Sequence, residues 1–286
     1  MKKFFGGNKF TPNGYSKEVE DKVQECIRRG YHMPKRTLLR TKEQIDGIRA
    51  AAKINKALLD YITPLVKEGV TTAEIDHAVY AFTTDHDAIP APFLYEGFPK
   101  SSCISINDVV CHGIPSVKEV IKDGDIVNVD LTTIYKGYFA DASRMFMIGN
   151  VSEANQKLVR VAKECRDIGV EVAKPWARLG DIGEAIQKHA ESNGYSVVRD
   201  LCGHGVGLEF HEDPDVEHYG RKGSGMLLVP GMTFTIEPMI NGGDWQVCGD
   251  EEDETGWIVL TEDGEDSAQW EHTFLMTENG VEVLTH

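Results

Sequence analysis

The chain has 286 residues, 41% hydrophobic and 27% charged, the balance of a soluble globular protein with one large domain or two small ones. Thirty Lys and Arg against 46 Asp and Glu leave a formal charge of -16, which argues against a protein that holds nucleic acid by general phosphate attraction or reads it directly. No apolar run nears the roughly 18 residues of a membrane span. The start, Met1-Lys2-Lys3-Phe4-Phe5, lacks the apolar core of a secretory signal. Six cysteines, at 26, 103, 111, 165, 202 and 248, form no CxxC pair, so reduced thiols and a cytoplasmic location are expected.

Residues 1–40 carry ten basic and four acidic side chains and read as an N-terminal extension. Residues 1–16 are expected to be irregular and mobile. Ser16 can cap a short helix with Val19, Val23, Cys26 and Ile27 on one face, ending at Gly30, and the whole extension reads as a surface tether. A second domain fills residues 41–286. Thr41-Lys42-Glu43-Gln44 has capping-box form and opens a helix with Ile45, Ile48, Ala51, Ala52, Leu58 and Ile62 at helical spacing, ended by Thr63-Pro64. A second box at Thr71-Thr72-Ala73-Glu74 starts a helix to about Asp87. Strand-like runs follow at Ser102–Ile106, Ile126–Ile134 and Tyr138–Ile148. Helical periodicity returns at Ser152–Ala173 and Leu179–Asn193, closed by Gly194, and the remainder again reads as strands. The repeated order predicts an α+β protein of two αα-β halves. The likeness of Glu74–Val79 to Asp181–Ile186 supports the repeat.

Four acids sit inside apolar strand text: Asp130, Asp141, Glu237 and Glu271. A bare buried carboxylate costs several kcal/mol, and basic residues are scarce in these strands, Arg144 being the nearest. A divalent cation would supply the missing positive charge. With Tyr135 and Lys136 at the centre of the turn, Asp130 is expected directly opposite Asp141 across a hairpin, where two carboxylates about 5 Å apart repel unless a metal lies between them. His204, between Gly203 and Gly205, offers an imidazole where the backbone can approach a ligand closely. His112 and His211 lie beside other glycine-containing turns. One imidazole with four carboxylates is an oxygen-dominated donor set suited to Mn, Fe(II), Co or Zn, and enough for two ions sharing bridging carboxylates. Hydrolysis is the chemistry such a pair performs.

At these positions the chain resembles the type I methionine aminopeptidases, of the pita-bread fold. The resemblance runs from about Thr41 to Thr285. It rests on Val109-Val110-Cys111-His112-Gly113-Ile114-Pro115, on Asp130 with Asp141, on Cys202-Gly203-His204-Gly205-Val206-Gly207, on Phe210-His211-Glu212, on Thr235-Ile236-Glu237-Pro238-Met239 and on Ser267–Thr273. It implies that Asp130, Asp141, His204, Glu237 and Glu271 hold two divalent ions, Asp141 and Glu271 bridging them. It further implies His112 beside the scissile peptide, His211 assisting the tetrahedral intermediate, and Glu237 as general base. Tyr95, Phe98, Cys103, Phe210 and Trp257 would wrap the first side chain, whose thioether suits aromatic walls.

The implied activity is removal of the initiator Met from nascent chains with a small second residue, by attack of a hydroxide held by both ions, in a monomer whose basic extension can touch the ribosome. The 33 residues from His204 to Glu237 leave no room for the insertion of type II relatives. Pro92 stands where many relatives carry Cys, and Leu201 where an aromatic is common. The acidic loop 250–254 is expected to be solvated, just before Trp257. Two other readings are an Xaa-Pro peptidase of the same fold, whose members usually carry a large N-terminal domain, and a non-catalytic binding relative, which would lack metal ligands.

Overall fold

The computed structural model describes residues 9–12, 14–93 and 95–286. Helix α1 (Lys17–Arg28) is capped by Ser16, whose hydroxyl accepts from the Val19 amide. Val19, Val23 and Cys26 are buried, but Ile27 is 41% exposed, so the apolar face is narrower than expected. The extension is more than a surface tether: those three side chains join the largest apolar core of the protein. Of the irregular stretch 1–16, residues 1–8 and 13 lie outside the described residues. Thr11 is buried, and both its amide and its hydroxyl donate to the Glu20 carboxylate.

Both capping boxes form. Thr41 and Gln44 cap α2 (Lys42–Ile62), and Thr71 and Glu74 cap α3 (Thr72–Asp85), each pair satisfying two amides that would otherwise lack partners. Strands β1 (Ile89–Pro90), β2 (Cys103–Ile106) and β3 (Val109–Cys111) lead to the long hairpin of β4 (Ile126–Tyr135) and β5 (Tyr138–Met147). β1 and β2 share one edge of β4, and β5 takes the other. Helices α2 and α3 cover this sheet, with Leu58, Ile62, Ile75 and Val79 packed on Ile104, Val127, Val129 and Leu131.

The second half repeats the plan. Helices α4 (Glu153–Val172) and α5 (Leu179–Ser192) are followed by strands β6 (Ser196–Val197), β7 (Gly203–Gly205), β8 (Glu212–Val216), β9 (Thr233–Ile236) and β10 (Met239–Asn241), with α4 packed on β9 and β10 and α5 on β6. β11 (Val247–Gly249), β12 (Val259–Thr261), β13 (Ser267–Gln269), β14 (His272–Thr277) and β15 (Gly280–Val283) complete the chain. The order β15-β14-β9-β7-β8 forms one antiparallel sheet, and β13-β10-β6 and β11-β12-β3 form two smaller ones. The halves meet where β4 and β5 run beside β13 and β14: the Asn128 amide group donates to the Gln269 carbonyl at 2.8 Å, and the Asp141 amide to Thr273 Oγ1 at 2.9 Å.

One expected register is corrected. Asp130 faces Ser143, and Asp141 faces Thr132. The central turn residues are Lys136 and Gly137, with φ of 51° and 81°, so Tyr135 pairs with Tyr138. Positive φ at both positions gives the turn whose twist matches the strands it joins. The slip is two residues, so Asp130 and Asp141 keep the same face of the hairpin.

Candidate metal centre

Each acid is placed by a different strand or strand end. Asp130 lies in β4 and Asp141 in β5, Glu237 follows β9, and Glu271 sits between β13 and β14. His204 is held at the middle of β7 by its amide, which donates to Thr235 Oγ1 at 2.9 Å. The glycine after it is required by space: a Cβ on Gly205 would sit 2.1 Å from the Asp213 carbonyl oxygen.

His204 Nδ1 lies 2.9 Å from the Gly205 carbonyl oxygen. A carbonyl only accepts, so Nδ1 carries the proton and Nε2 presents a lone pair. That lone pair faces Glu237 Oε1 at 3.4 Å and Asp141 Oδ2 at 3.8 Å. Acceptors facing acceptors repel unless a cation lies among them. The carboxylates tell the same story. Thr132 Oγ1 donates to Asp141 at 2.7 Å, while Thr235 Oγ1 and Gln269 Nε2 donate to Glu237 at 2.7 and 3.0 Å. Asp130 Oδ1 and Glu271 Oε1 are buried with no hydrogen-bond partner among the described residues.

Burial pushes all four carboxyls above the usual range, and their mutual repulsion pushes Asp141 and Glu271 furthest. Burial lowers His204 in the opposite sense, keeping the imidazole neutral. Among the described residues lining this cavity there is no Lys or Arg. Oxygens from Asp141 and Glu271 and a nitrogen from His204 lie within 4.8 Å of one another. A neutral imidazole, two orphaned carboxylate oxygens and no local cation fit a divalent metal.

All twelve site residues picked out in the sequence line a single cavity of about 290 Å³. Tyr95, Phe98, Phe210 and Trp257 form its aromatic wall, with Tyr95 4.8 Å from Phe210 and Phe98 5.6 Å from Trp257, ring centre to ring centre. Burial pushes the Cys103 thiol up, so it stays protonated and packs as an apolar group. His112 stands 5.4 Å from Trp257, ring to ring, in a left-handed backbone conformation, φ 58°. Gly113 follows because a Cβ there would meet the Ile104 carbonyl oxygen at 2.0 Å. His211 lies against Phe210 and His204, and its Nδ1 is 3.0 Å from the Tyr95 hydroxyl. Burial, then His204 and His112, lower His211 to about 3.

Sequence reasoning missed the residues that steady these groups. Thr132 shares the Asp130 face two positions on, a signal the period-2 rule offers. Gln269 and Thr235 stand within quoted motifs without a role. His218, buried, accepts from the Glu237 amide at 3.1 Å, and nothing near it in sequence announces this. The acidic loop is only partly solvated: Asp253 accepts from the Trp257 and Ile258 amides at 2.8 and 2.9 Å, fixing the backbone that presents Trp257.

Residues 46–278 match the model of metallopeptidase family M24. Methionine aminopeptidase A of Synechocystis sp. is 50% identical over 249 residues, 87% of this chain and 97% of that protein. Methionine aminopeptidase of Haemophilus influenzae is 49% identical over 86% of this chain and 92% of its own length. The crystal structure of methionine aminopeptidase from Rickettsia prowazekii superposes with a TM-score of 0.84 at 47% identity, covering 87% of this chain and 99% of that one. The prolidase from Pyrococcus horikoshii reaches 0.68 at 23% identity, which shows a shared fold alone. The pita-bread architecture expected from the sequence is the one these structures share with the antiparallel sheets described above. The chain belongs to metallopeptidase family M24 and stands among its bacterial-type methionine aminopeptidases.

Proposed function

We propose that Asp130, Asp141, His204, Glu237 and Glu271 hold two divalent ions (Fe, Mn, Co or Zn) and that the site releases the initiator Met from nascent chains whose second residue is small. Use of divalent metal and hydrolysis of an N-terminal peptide bond follow from the family. The observation that carries the finer reading is the His204 lone pair turned toward Glu237 and Asp141, beside the orphaned oxygens of Asp130 and Glu271. When bound, paired ions provide a hydroxide nucleophile at neutral pH and polarise the peptide carbonyl.

The protein's own groups do the rest. Glu237, steadied by Thr235 and Gln269, takes a proton from the attacking water at its carboxylate and returns it to the leaving amine. With the Tyr95 hydroxyl donating to Nδ1, His211 carries its proton on Nε2 and offers it to the developing oxyanion. His112, neutral because burial lowers it, contacts the scissile peptide. Tyr95, Phe98, Cys103, Phe210 and Trp257 enclose the thioether side chain.

The reading includes a monomer working in the reducing cytoplasm, whose N-terminal extension touches the ribosome through its basic excess. Reversing the charge of Lys17 and Arg36 is expected to reduce co-sedimentation with ribosomes. For the activity, the test is release of Met from Met-Ala-Ser by protein loaded with Mn or Co, against Leu- and Pro-starting controls. No Met release by a metal-loaded, folded protein would refute the assignment. The Xaa-Pro reading has fold-level likeness alone behind it.

A further inference from the structure

Glu271 faces the metal centre, whereas its neighbours Trp270 and His272 line a second cavity of about 470 Å³ where α2, β5, α4 and β14 meet. The chain as a whole is strongly acidic, yet Lys56, Arg144, Lys163 and Arg166 converge here. Asp60 is the one acidic side chain among the described residues lining the space. It pairs with Lys56 at 2.6 Å and Arg144 at 3.2 Å, and Arg166 pairs with Asp167 outside the cavity at 2.6 Å. Lys163 has no carboxylate within ion-pair distance among the described residues.

The cluster is built, not scattered. The Trp270 indole nitrogen donates to the Val159 carbonyl at 3.1 Å, fixing the ring. Lys163 Nζ and the Arg166 guanidinium sit over that ring at 5.9 and 5.6 Å, close enough for the ring's negative face to hold both cations in place. Arg166 is 8% exposed, so its charge is already largely stripped of water. Ser143, in β5 and also lining the cavity, is 1% exposed and has a hydroxyl with no hydrogen-bond partner among the described residues. A buried hydroxyl without a partner costs free energy that a ligand oxygen can recover.

We propose that this cavity is a binding site for a phosphate-type oxyanion, free or as a small phosphomonoester, with Lys163, Arg166 and Ser143 as donors. Guanidinium and ammonium groups with a hydroxyl match the several acceptor oxygens of a tetrahedral dianion. A nucleic-acid strand is disfavoured, because the chain's net charge of -16 opposes a polyanion that must extend beyond the cavity.

The test is calorimetric titration of the Mn-loaded protein with sodium sulfate and with glycerol 1-phosphate, ionic strength held constant with chloride. Saturable binding to one site is expected, weakened at least tenfold by Lys163→Glu, whose side chain is exposed and whose loss spares the fold, and also weakened by Ser143→Ala. Equal affinity for the two probes points to a free anion, and tenfold tighter glycerol phosphate points to a phosphomonoester; either supports the site. Binding that survives both substitutions, or disappears in Glu237→Gln, would place the anion elsewhere and overturn the proposal. So would the absence of saturable heat, or binding of a short single-stranded RNA by protein that ignores both small probes.

Discussion

Thr273 and Asp141 bond to each other twice across the seam between the halves: the Asp141 amide donates to Thr273 Oγ1 at 2.9 Å, and that hydroxyl donates to the Asp141 carbonyl at 2.8 Å. Both residues are buried. Replacing Thr273 by Val keeps the volume but leaves a buried amide and carbonyl unpaired, at about 1–3 kcal/mol each. Thermal unfolding should drop by several degrees, and Mn affinity should fall with it because Asp141 loses its anchor. Unchanged metal affinity would mean the seam does not position the site.

A second pair acts on the loop that carries His211. Arg40, 1% exposed, donates to Glu212, and the same Glu212 oxygen accepts from the Leu208 amide at 3.1 Å. Removing one partner of a buried pair costs about 3–5 kcal/mol, whereas replacing both by apolar groups can cost far less. Arg40→Met should therefore destabilise more than Arg40→Met with Glu212→Leu. The single substitution should also lower kcat, since the turn holding Phe210 and His211 is freed. A cycle of chemical denaturation and steady-state kinetics measures both. Additive stability effects would remove the coupling.

Metal removal should expose the electrostatic strain of the centre. Burial raises Asp130 to about 7 and Glu237 to about 8, above their unfolded values near 4. A carboxyl raised on folding stabilises the native state at low pH and loses that contribution as pH climbs through its folded value. His204, His211 and His218 are lowered to about 4, 3 and 3, so they are largely neutral in both states above pH 7 and add nothing there. Chelator-treated protein should thus melt progressively lower from pH 7 to pH 9. Saturating Mn should reverse the trend, because ligands bind metal better as protons leave. Parallel curves with and without metal would contradict this.

Glu237→Gln should leave the fold intact while lowering turnover by at least two orders of magnitude, because proton transfer and metal ligation both suffer. The circular dichroism spectrum should be unchanged and Met release nearly absent. Wild-type turnover would remove Glu237 from the mechanism.

Asp253→Ala should act on binding. Without the carboxylate that accepts from the Trp257 and Ile258 amides, the aromatic wall loosens. KM for Met-Ala-Ser should rise roughly tenfold, about 1.4 kcal/mol, with kcat little changed. A fall in kcat at constant KM would argue for a different role.

The helices were legible because their signals are local: Thr41 with Gln44 and Thr71 with Glu74 announce their caps, and apolar spacing fixes the buried face. The acids were legible for a different reason, since charge inside apolar strand text has few explanations. The hairpin register was misread because Lys136 takes a conformation its residue type does not advertise, yet a slip of two preserves facing. What stayed hidden is contact between distant segments. Nothing in the text around Arg40 announces Glu212, and nothing around His218 announces the Glu237 amide. The extension hid its packing for the same reason, as Val19 and Val23 join a core whose other members, such as Leu228 and Phe274, lie far along the chain.

Because α1 contributes Val19, Val23 and Cys26 to the second core, and Arg40 braces the His211 loop, the first forty residues cannot be discarded as packaging. A shortened gene product beginning at Thr41 would uncover part of that apolar core and lose the buried guanidinium. It should emerge from the cell clumped and inactive, so trimming experiments aimed at the ribosome would report on solubility instead.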